Sequence, residues 1–478
     1  MKKKSLKYLI LIFLISLSFN IFLSLTASNF SGDSSYYNLR FFDHIKETGK
    51  PLVYDDLSYS GRFIIGSPLF HYLFALLSFL PILLKIIPAI LLSSITVIAY
   101  FISKEITGNS RVSLLVSFLS SFIPIYSLIL INQISVYSLV FPLLALMMLC
   151  FVKIEDRRFF NLFVVLSFLL PLVHSSSFIF ILVLLFYFLL MISENIPVSR
   201  GKTEVIVFSF FLILLINMLF FKKALFQYGL NFIYGSVPAA LLRDYLQNLN
   251  ILEIFSYIGV LPLVFGIWGL YIGFKQKKES VLIVSSLILG ILFMFLFGMI
   301  EINIGLLFLS FGLVLLSSLG LKSLFDYLTK TKLSKFSRFF TFAFVILIIL
   351  LSFFPTYYLY NHDTNLSDFE WMKENIPYGS VVLAPAEYGH FISYYGRENV
   401  ADTNYLLAPN ANDRLNDIDE IYTTWSYNKA VDLMKNYEVN YIYINEKIKN
   451  KYKINDLKYV EDGDCIRRLK ETIYSFNC

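Results

Sequence analysis

Long apolar runs separated by short polar connections dominate the first three quarters of the chain. Runs of 18 or more residues with almost no charge recur from Leu6 to Pro355, and a bilayer core needs about 20 apolar residues per helix. We interpret eleven runs as membrane-spanning helices: 6–25, 86–103, 112–131, 136–152, 159–173, 176–192, 203–221, 251–274, 281–298, 302–320 and 338–355. The pattern predicts a polytopic α-helical membrane protein.

One further apolar segment, "SPLFHYLFALLSFLP", is too short for a span. It has about fifteen residues between prolines, fewer than a bilayer crossing needs. Counting it as a span would also invert the side of every later loop. The segment is therefore predicted to be an interfacial or re-entrant helix within a first outer loop, 26–85.

Composition supports the membrane interpretation. The 478 residues are 57% hydrophobic and 15% charged, against about 25% charged in soluble domains. The net charge of +6 is no sign of nucleic-acid binding, because basic residues in such chains mostly fix orientation. The basic and apolar N-terminus favours an uncleaved anchor over a signal peptide, since its apolar run is long for a signal sequence.

The charges of the loops predict the orientation. With Lys2, Lys3 and Lys4 in the cytoplasm, the inner loops carry most of the basic residues of the short loops, as the positive-inside rule requires. These inner loops are "SKEITGNSR", "KIEDRR", "SENIPVSRGK", "KQKKE" and "KSLFDYLTKTKLSKFSR". Because eleven crossings is an odd number, we expect a multi-pass cell-membrane protein whose opening stretch and tail are both extracytoplasmic.

The tail changes character after residue 360, which we take as the boundary between a membrane domain, 1–360, and an extracytoplasmic α/β domain, 361–478. Short β-branched and aromatic runs predict buried strands, and they are "SVVLAP" and "VNYIYIN". Two polar segments with helical patterning predict helices, "LSDFEWMKENI" and "YNKAVDLMKNYE". In the first, Ser367 is the predicted N-cap and Glu370 lies three residues on, as in a capping box.

The three cysteines show no metal-ligand spacing. Cys150 falls inside an apolar helix, whereas Cys465 and Cys478 lie in the tail. A disulfide between the last two requires an oxidising compartment, and two free thiols fit the sequence equally well.

Several stretches taken together resemble the catalytic subunit of archaeal and eukaryotic oligosaccharyltransferase, a glycosyltransferase family with the GT-C fold. They are "DSSYYNLR", "GSPLFHYLFALL", "SKEITGNSR" and "EYGHFISYYGRENVADTNYL". The resemblance is best over the first 150 residues and over 367–445. It implies a GT-C-like membrane domain with a C-terminal outer domain.

The resemblance assigns roles to two residues near the first span. Asp33 matches the aspartate that binds a divalent metal ion and helps to activate the acceptor, displaced by one residue relative to the tyrosine pair. From the residues alone, Asp33 is equally a solvated loop residue or a helix N-cap. Arg40 matches a family position and is interpreted as a structural or headgroup-binding residue, and Arg243 is a second candidate for a donor phosphate.

The chain also departs from the family. The turn "NQISVYSLV" has no second acidic motif, and "APAEYG" stands where the family has Trp-Trp-Asp-Tyr-Gly. Glu387 and Tyr388 are then the candidates for the acceptor side. Glu301, in the turn "MIEIN", is a candidate second metal ligand or base, or else a solvated turn residue.

These features predict a membrane glycosyltransferase that moves a sugar or glycan from a polyprenyl-phosphate-linked donor to an acceptor protein or glycan on the outer face. Asp33 would deprotonate or orient the acceptor, and a Mg²⁺ or Mn²⁺ ion would neutralise the leaving phosphate. The alternative is a non-catalytic relative that binds or assembles cell-envelope glycans, which the missing acidic motif favours. A transporter is disfavoured because several predicted spans carry no ionisable residue, and the chain has no phosphate-binding glycine motif for a nucleotide.

Overall fold

The structure is a computed structural model that describes residues 3–229, 238, 250–331, 335, 337–360, 365–459 and 465–478. It divides into two compact units. Unit 1 comprises Met1–Ser28, Gly66–Lys222 and Asn248–His362, and unit 2 comprises Asn29–Ile65, Lys223–Gln247 and Asp363–Cys478.

All regular secondary structure in the described part of unit 1 is helical. Its helices are α1 Lys3–Thr26, α3 Leu69–Leu77, α4 Pro81–Thr107, α5 Ser110–Leu119, α6 Pro124–Leu130, α7 Tyr137–Val152, α8 Arg157–Val173, α9 Ser177–Ser193, α10 Arg200–Tyr228 (which ends in unit 2), α11 Ile251–Ile258, α12 Val260–Gln276, α13 Glu279–Leu296, α14 Ile302–Lys330, α15 Ser337–Ile348 and α16 Phe354–Leu359. A π-helical turn, Ile349–Phe353, joins the last two.

The structure corrects the predicted number of eleven membrane-spanning helices. Among the described residues, six helices are long and apolar enough to cross a membrane, or up to eight if each of two bent pairs is one span. The pairs bend by 46° between α5 and α6 and by 82° between α11 and α12. Each predicted run is helical, but α7 has 16 residues and α9 has 17, about 25 Å at 1.5 Å per residue. That length falls short of a hydrocarbon core of about 30 Å.

The short segment before α4 forms a helix of nine residues, α3. Nine residues extend over roughly 13 Å, too little for a crossing. The prediction of a non-spanning helix here agrees with that length.

Glycines let two helices of unit 1 approach each other backbone to backbone. A Cβ atom added to Gly266 of α12 would lie 2.7 Å from the carbonyl oxygen of Leu313, and one added to Gly320 of α14 would lie 2.5 Å from that of Phe265. Small residues at helix contacts are the usual means of close packing in membranes. Helix α14 is the most enclosed of the six long helices, with 94% of its apolar window buried.

The loops that the charge pattern groups on one side also lie together in unit 1. Lys153 pairs with Glu105 at 2.6 Å, and Lys202 pairs with Glu279. Lys322 donates to the carbonyl oxygen of Thr107 at 2.8 Å. All of these side chains belong to predicted inner loops, so the structure gathers those loops at one end of the unit.

Unit 2 is built around a five-stranded sheet in the order β4-β3-β5-β7-β6. Its strands are β3 Val381–Leu383, β4 Glu398–Asn399, β5 Tyr441–Tyr443, β6 Ile466–Lys470 and β7 Ile473–Phe476, and a separate hairpin pairs β1 Tyr54–Asp55 with β2 Arg62–Phe63. Strands β4, β3 and β5 are parallel, whereas β5, β7 and β6 are antiparallel. The helices of this unit are α2 Asp33–Thr48, α17 Ser367–Asn375, α18 Gly389–Tyr394, α19 Ala411–Thr423, α20 Tyr427–Asn436 and α21 Glu446–Tyr452.

Both predicted strands are present as β3 and β5, and both predicted helices as α17 and α20. The predicted capping box at Ser367 is wrong. Leu366 occupies the N-cap position without a side-chain hydrogen bond, and Ser367 is the first helical residue. The side chain of Asn365 accepts the backbone N–H of Ser367 at 3.0 Å instead.

Residues 29–65 pack with the C-terminal residues rather than with the helices of unit 1. The physical reason is a set of backbone contacts beside β4. Ser58 forms a parallel bridge with Asn399, and the N–H of Asn399 donates to Leu57 at 3.0 Å. The composition boundary at residue 360 does not reveal this association.

The sequence left two states open for the tail cysteines, and the structure has a disulfide between Cys465 and Cys478, with Cα atoms 5.0 Å apart. The bridge lies where β6 begins and β7 has just ended, so it closes this hairpin. Cys150 is a buried free thiol in α7.

Candidate active site

Helix α2 begins at Asp33, directly after Gly32, whose φ of 79° suits glycine. The Asp33 carboxylate reaches a distant segment of the chain. Its Oδ1 accepts the backbone N–H groups of His390 at 3.0 Å and Phe391 at 3.1 Å. Its Oδ2 accepts the hydroxyl of Thr403 at 3.3 Å. Asp33 thus joins α2 to the start of α18 and to residue 403.

Asp33 is a buried carboxyl group with an unusual proton affinity. Its side chain is only 9% exposed. Burial raises its pKa well above the usual value, and the nearby charge of Asp402 raises it further, while the three hydrogen bonds oppose the shift. Oδ1 is occupied by two donors, whereas Oδ2 has one long hydrogen bond. Oδ2 is therefore the atom with capacity to accept a proton.

Beside Asp33 lies a second, fully buried carboxylate, that of Asp402. Its Oδ2 accepts the hydroxyl of Ser58 at 2.6 Å, and its Oδ1 accepts from Arg62 at 3.3 Å and from the N–H of Asn404 at 2.9 Å. Although burial opposes its charge, His390, Arg62 and Ser58 hold the pKa of Asp402 below the usual value. The pKa values of the two neighbouring aspartates are thus shifted in opposite directions.

His390 lies between the two carboxyl groups. Its Nε2 is 3.9 Å from Oδ2 of Asp33 and 3.6 Å from Oδ1 of Asp402, both too long for hydrogen bonds. Burial lowers its pKa to about 4, so the imidazole is neutral at physiological pH. The ring of Tyr37 packs on it with centroids 4.8 Å apart.

Gly389 explains how α18 comes so close to the acidic segment. A Cβ atom at this position would lie 2.5 Å from the carbonyl oxygen of Ala401 and 2.5 Å from the Cβ of Asp402. No other residue fits without displacing these atoms. The glycine of the "EYG" sequence therefore serves the packing that holds His390 beside Asp33.

The predicted phosphate-binding arginines are placed as follows. Arg40 forms a two-pronged ion pair with Asp55, one contact being 2.9 Å, and the Asp55 side chain is 2% exposed. The guanidinium of Arg40 is thus committed to a buried carboxylate, which agrees with its structural interpretation. Arg243 lies outside the described residues.

The predicted acceptor-side residues are also engaged. The carboxylate of Glu387 accepts from the ammonium group of Lys451 at 3.2 Å and is about half exposed. The Tyr388 hydroxyl accepts from the Asn445 amide at 3.1 Å. Their role toward an acceptor stays a prediction.

Glu301 immediately precedes α14 in unit 1, on the turn after α13. It interacts electrostatically with Tyr137, the first residue of α7. The hydroxyl of Ser176 donates to that of Tyr137 at 3.4 Å and lies 2.8 Å from Nδ1 of His174. Burial lowers the pKa of His174 to about 4. Because Asp33 and Glu301 belong to different units, their sharing of a metal stays a prediction.

The described residues do not by themselves fit a divalent cation. No group of three histidine, cysteine, aspartate or glutamate side chains within the described ranges is arranged to hold one. In unit 2, the two N–H donors on Oδ1 leave Asp33 with Oδ2 as a single ligand atom. A hard cation prefers about six oxygen ligands, so these side chains alone do not support a metal-dependent step.

The sequence interpretation missed His390, Asp402, Thr403 and Arg62 as members of this site. The stretch "GRENVADTNY" around Asp402 is largely polar, so no local pattern marked this aspartate as buried. Its cationic partner, Arg62, is 340 residues away, so the sequence alone could not pair them.

No protein-family model matches the chain. No curated protein sequence is significantly similar to it.

Solved structures do share its fold. The oligosaccharyltransferase of Archaeoglobus fulgidus in the apo form superposes with a TM-score of 0.70 at 15% identity, over 95% of this chain and 71% of that one. The same protein, AglB, in complex with an inhibitory peptide and a dolichol-phosphate gives 0.67 at 15% identity, over 92% and 69%. ArnT from Cupriavidus metallidurans gives 0.57 at 8% identity, over 99% and 98%. The chain therefore has the GT-C fold of these two membrane glycosyltransferases.

Proposed function

We propose that this protein is a membrane glycosyltransferase that transfers a sugar or glycan from a polyprenyl-phosphate-linked donor to an acceptor at the outer membrane face. Asp33 is its acceptor-activating residue. The AglB structure with a dolichol-phosphate and a peptide supports a lipid-linked donor, and the apolar helices of unit 1 support a substrate that stays in the bilayer.

The proposed reaction is a displacement at the anomeric carbon of the donor sugar. An acceptor O–H or N–H group attacks that carbon, the bond from the carbon to the phosphate oxygen breaks, and the lipid phosphate leaves with the electron pair. The acceptor proton passes to Oδ2 of Asp33. A general base works best when its pKa lies near the operating pH, which is the direction in which burial moves Asp33.

The observation that carries this proposal is the difference in hydrogen bonding between the two carboxyl oxygens of Asp33. Oδ1 is fixed by two backbone N–H groups, so the carboxyl group cannot turn freely. Oδ2 keeps room for a proton beside the neutral ring of His390. Asp402, held ionised by Arg62, raises the proton affinity of Asp33 without reaching the acceptor itself.

The orientation belongs to the proposal as well. We place the N-terminus in the cytoplasm and unit 2 outside, because the predicted inner loops carry the basic residues and lie together at one end of unit 1. The disulfide Cys465–Cys478 supports an oxidising compartment for unit 2. Arg40, Glu387 and Tyr388 remain candidate contacts for donor or acceptor, and Mg²⁺ or Mn²⁺ remains a candidate cofactor.

A second candidate function is a glycan-binding protein without transferase activity. It is favoured by the way in which Asp33 caps the start of α18, since two backbone N–H groups on a carboxylate are a structural arrangement in their own right. On this account Asp33 would matter for stability alone.

Label transfer separates the two functions. Purified protein in liposomes receives a radiolabelled polyprenyl-phosphate sugar and membrane extract as the acceptor source, with and without a chelator. Asp33→Asn keeps an oxygen for the two N–H groups and removes the proton-accepting oxygen. Asp43→Asn, on the exposed side of the same helix and paired only with Lys46 among its described contacts, is the matched control.

The transferase account predicts label transfer by the wild type and the Asp43 variant, and a loss of about 100-fold or more in Asp33→Asn, within the usual general-base contribution. Equal transfer by both variants refutes the role of Asp33. Binding of the labelled lipid without transfer in any sample supports the binding protein.

A further inference from the structure

A cavity of about 450 Å³ lies in unit 2, and neither Asp33 nor Asp402 is among its described lining residues. We call it the hairpin cavity. Its described lining includes Tyr54, Arg62, Phe63, Lys223, Gln227 and Leu407. A volume of this size is in the range of small-molecule binding pockets, about 300–1,000 Å³.

The β1–β2 hairpin forms an aromatic wall of this cavity. Tyr54 pairs directly with Phe63 across the two strands, and their ring centroids are 5.1 Å apart in an edge-to-face arrangement. The two residues are 45% and 46% exposed. Aromatic side chains that line a cavity offer an apolar surface to a ligand.

The opposite face of the same hairpin is rigidly anchored. Side chains alternate between the two faces of a strand, and the neighbouring cross-strand pair is Asp55 with Arg62. Asp55 accepts from Arg40, and Arg62 donates to Asp402 and to the hydroxyl of Ser58 at 2.6 Å. The aromatic pair is therefore preorganised by buried ion pairs beneath it.

Helix α10 supplies polar groups to the cavity. Lys223 and Gln227 are four residues apart and so share one face of the helix. The ammonium group of Lys223 lies 3.6 Å from the centroid of the Phe63 ring, in a cation–π contact. Arg62 belongs to the lining, but its side chain is only 1% exposed and pairs with Asp402. Lys223 is therefore the charged group that the described lining offers to a ligand, and this lining contains no carboxylate.

We propose that the hairpin cavity is a binding site for a saccharide that carries a negative charge, such as a uronic acid residue. A pyranose ring offers an apolar C–H face to the Tyr54 and Phe63 rings and hydroxyl groups to the Gln227 amide, and its carboxylate pairs with Lys223. A bare phosphate would use the lysine but leave the aromatic wall without a partner. The choice of a saccharide rests on the proposed function.

Binding is tested separately from transfer. The full-length protein in detergent is titrated with cellobiouronic acid, with cellobiose as its uncharged counterpart and with inorganic phosphate, and binding is followed by saturation-transfer NMR for the sugars and by calorimetry for all three. The variants are Phe63→Ala and Lys223→Met. The control is Trp425→Ala, which removes an exposed ring that also lies under a lysine, Lys458, at 4.2 Å, outside the cavity lining.

The expected result is that cellobiouronic acid binds about tenfold more tightly than cellobiose. Lys223→Met removes this preference, Phe63→Ala weakens both sugars by about tenfold, and Trp425→Ala changes neither. Thermal unfolding followed by circular dichroism verifies that each variant is folded. Absence of sugar binding or equal affinity for the two sugars overturns the proposal. So does phosphate binding that is tighter than the binding of cellobiouronic acid and that Phe63→Ala leaves unchanged. Because no transfer is measured, these results stand whether or not the protein is a transferase.

Discussion

The buried ion pair between Arg62 and Asp402 offers a demanding stability test of unit 2. The two side chains are 1% and 0% exposed. Arg62→Met keeps a long side chain but removes the charge that faces Asp402, together with the donors to Ser58 and to the carbonyl oxygen of Leu406. Asp402 would be left buried without its cation.

The expected loss of stability follows from the burial of the Arg62–Asp402 pair. Removing one partner of a buried ion pair costs about 3–5 kcal/mol, because the other charge is left without compensation. For a unit of this size, 1 kcal/mol corresponds to about 2–4 °C in unfolding temperature. We therefore expect Arg62→Met to lower the unfolding temperature of unit 2 by roughly 6–20 °C.

Tryptophan fluorescence can report on unit 2 by itself. The chain has three tryptophans, of which Trp371 and Trp425 belong to unit 2 and Trp268 to unit 1. In a Trp268→Phe background, urea and thermal unfolding in detergent therefore follow unit 2. Arg467→Met removes an exposed arginine of the same unit and should change stability by no more than about 0.5 kcal/mol.

The double variant completes the test. If the two side chains interact as described, Arg62→Met and Asp402→Asn together should cost less than the sum of the single changes, by about 1–3 kcal/mol. A single-variant cost below about 1 kcal/mol, or strict additivity, would refute the assignment of this pair as the link between the first loop and the rest of unit 2.

Further predictions concern Asp33, the disulfide and Gly389 of unit 2. Asp33→Ala should cost about 1–3 kcal/mol in the fluorescence assay because two N–H groups lose their acceptor. Because the folded-state pKa of Asp33 lies above its unfolded value, its contribution to stability is complete at low pH and is lost as pH rises through the raised pKa. Asp33→Asn should abolish this decline in stability. A pH profile of stability that the substitution leaves unchanged would count against the raised pKa. Reduction of Cys465–Cys478 should destabilise the unit by about 3 kcal/mol, given their separation of 13 residues. After reduction, a membrane-impermeant thiol reagent should label both cysteines on intact cells. Labelling only after lysis would reverse the proposed orientation. Gly389→Ala should destabilise the unit by about 1–3 kcal/mol through overpacking against Asp402, and wild-type stability would contradict the close approach.

The sequence predicted elements whose signal is local. Strands β3 and β5 were found because short β-branched and aromatic runs suit a buried sheet. The cap of α17 was wrong because several short polar residues stand side by side, and Asn365 satisfies the N–H of Ser367 in place of the expected serine cap. The span count was too high partly because α7 and α9 have only 16 and 17 residues. Hydropathy also does not record the bends between α5 and α6 and between α11 and α12.

The candidate site was predicted only in part. Asp33 was singled out by the resemblance to the oligosaccharyltransferase catalytic subunit, but its partners lie 357 to 370 residues further along the chain. Such contacts depend on the tertiary fold, which no local pattern encodes. The interpretation of Arg40 as a structural or headgroup-binding residue stays a prediction, and its partner Asp55 is only 15 residues away on the same loop.

The central claim is that Asp33 accepts the acceptor proton through a carboxyl group whose pKa is raised by burial. Its most direct test is the pH dependence of label transfer from about pH 4 to about pH 9, a window that brackets a raised carboxyl pKa, compared between the wild type and Asp33→Asn in the same liposomes. The account predicts a wild-type rate that rises with pH through a pKa well above that of an ordinary aspartate, and a variant that is at least about 100-fold slower with no such rise. Equal rates with the same pH profile in both proteins would contradict it.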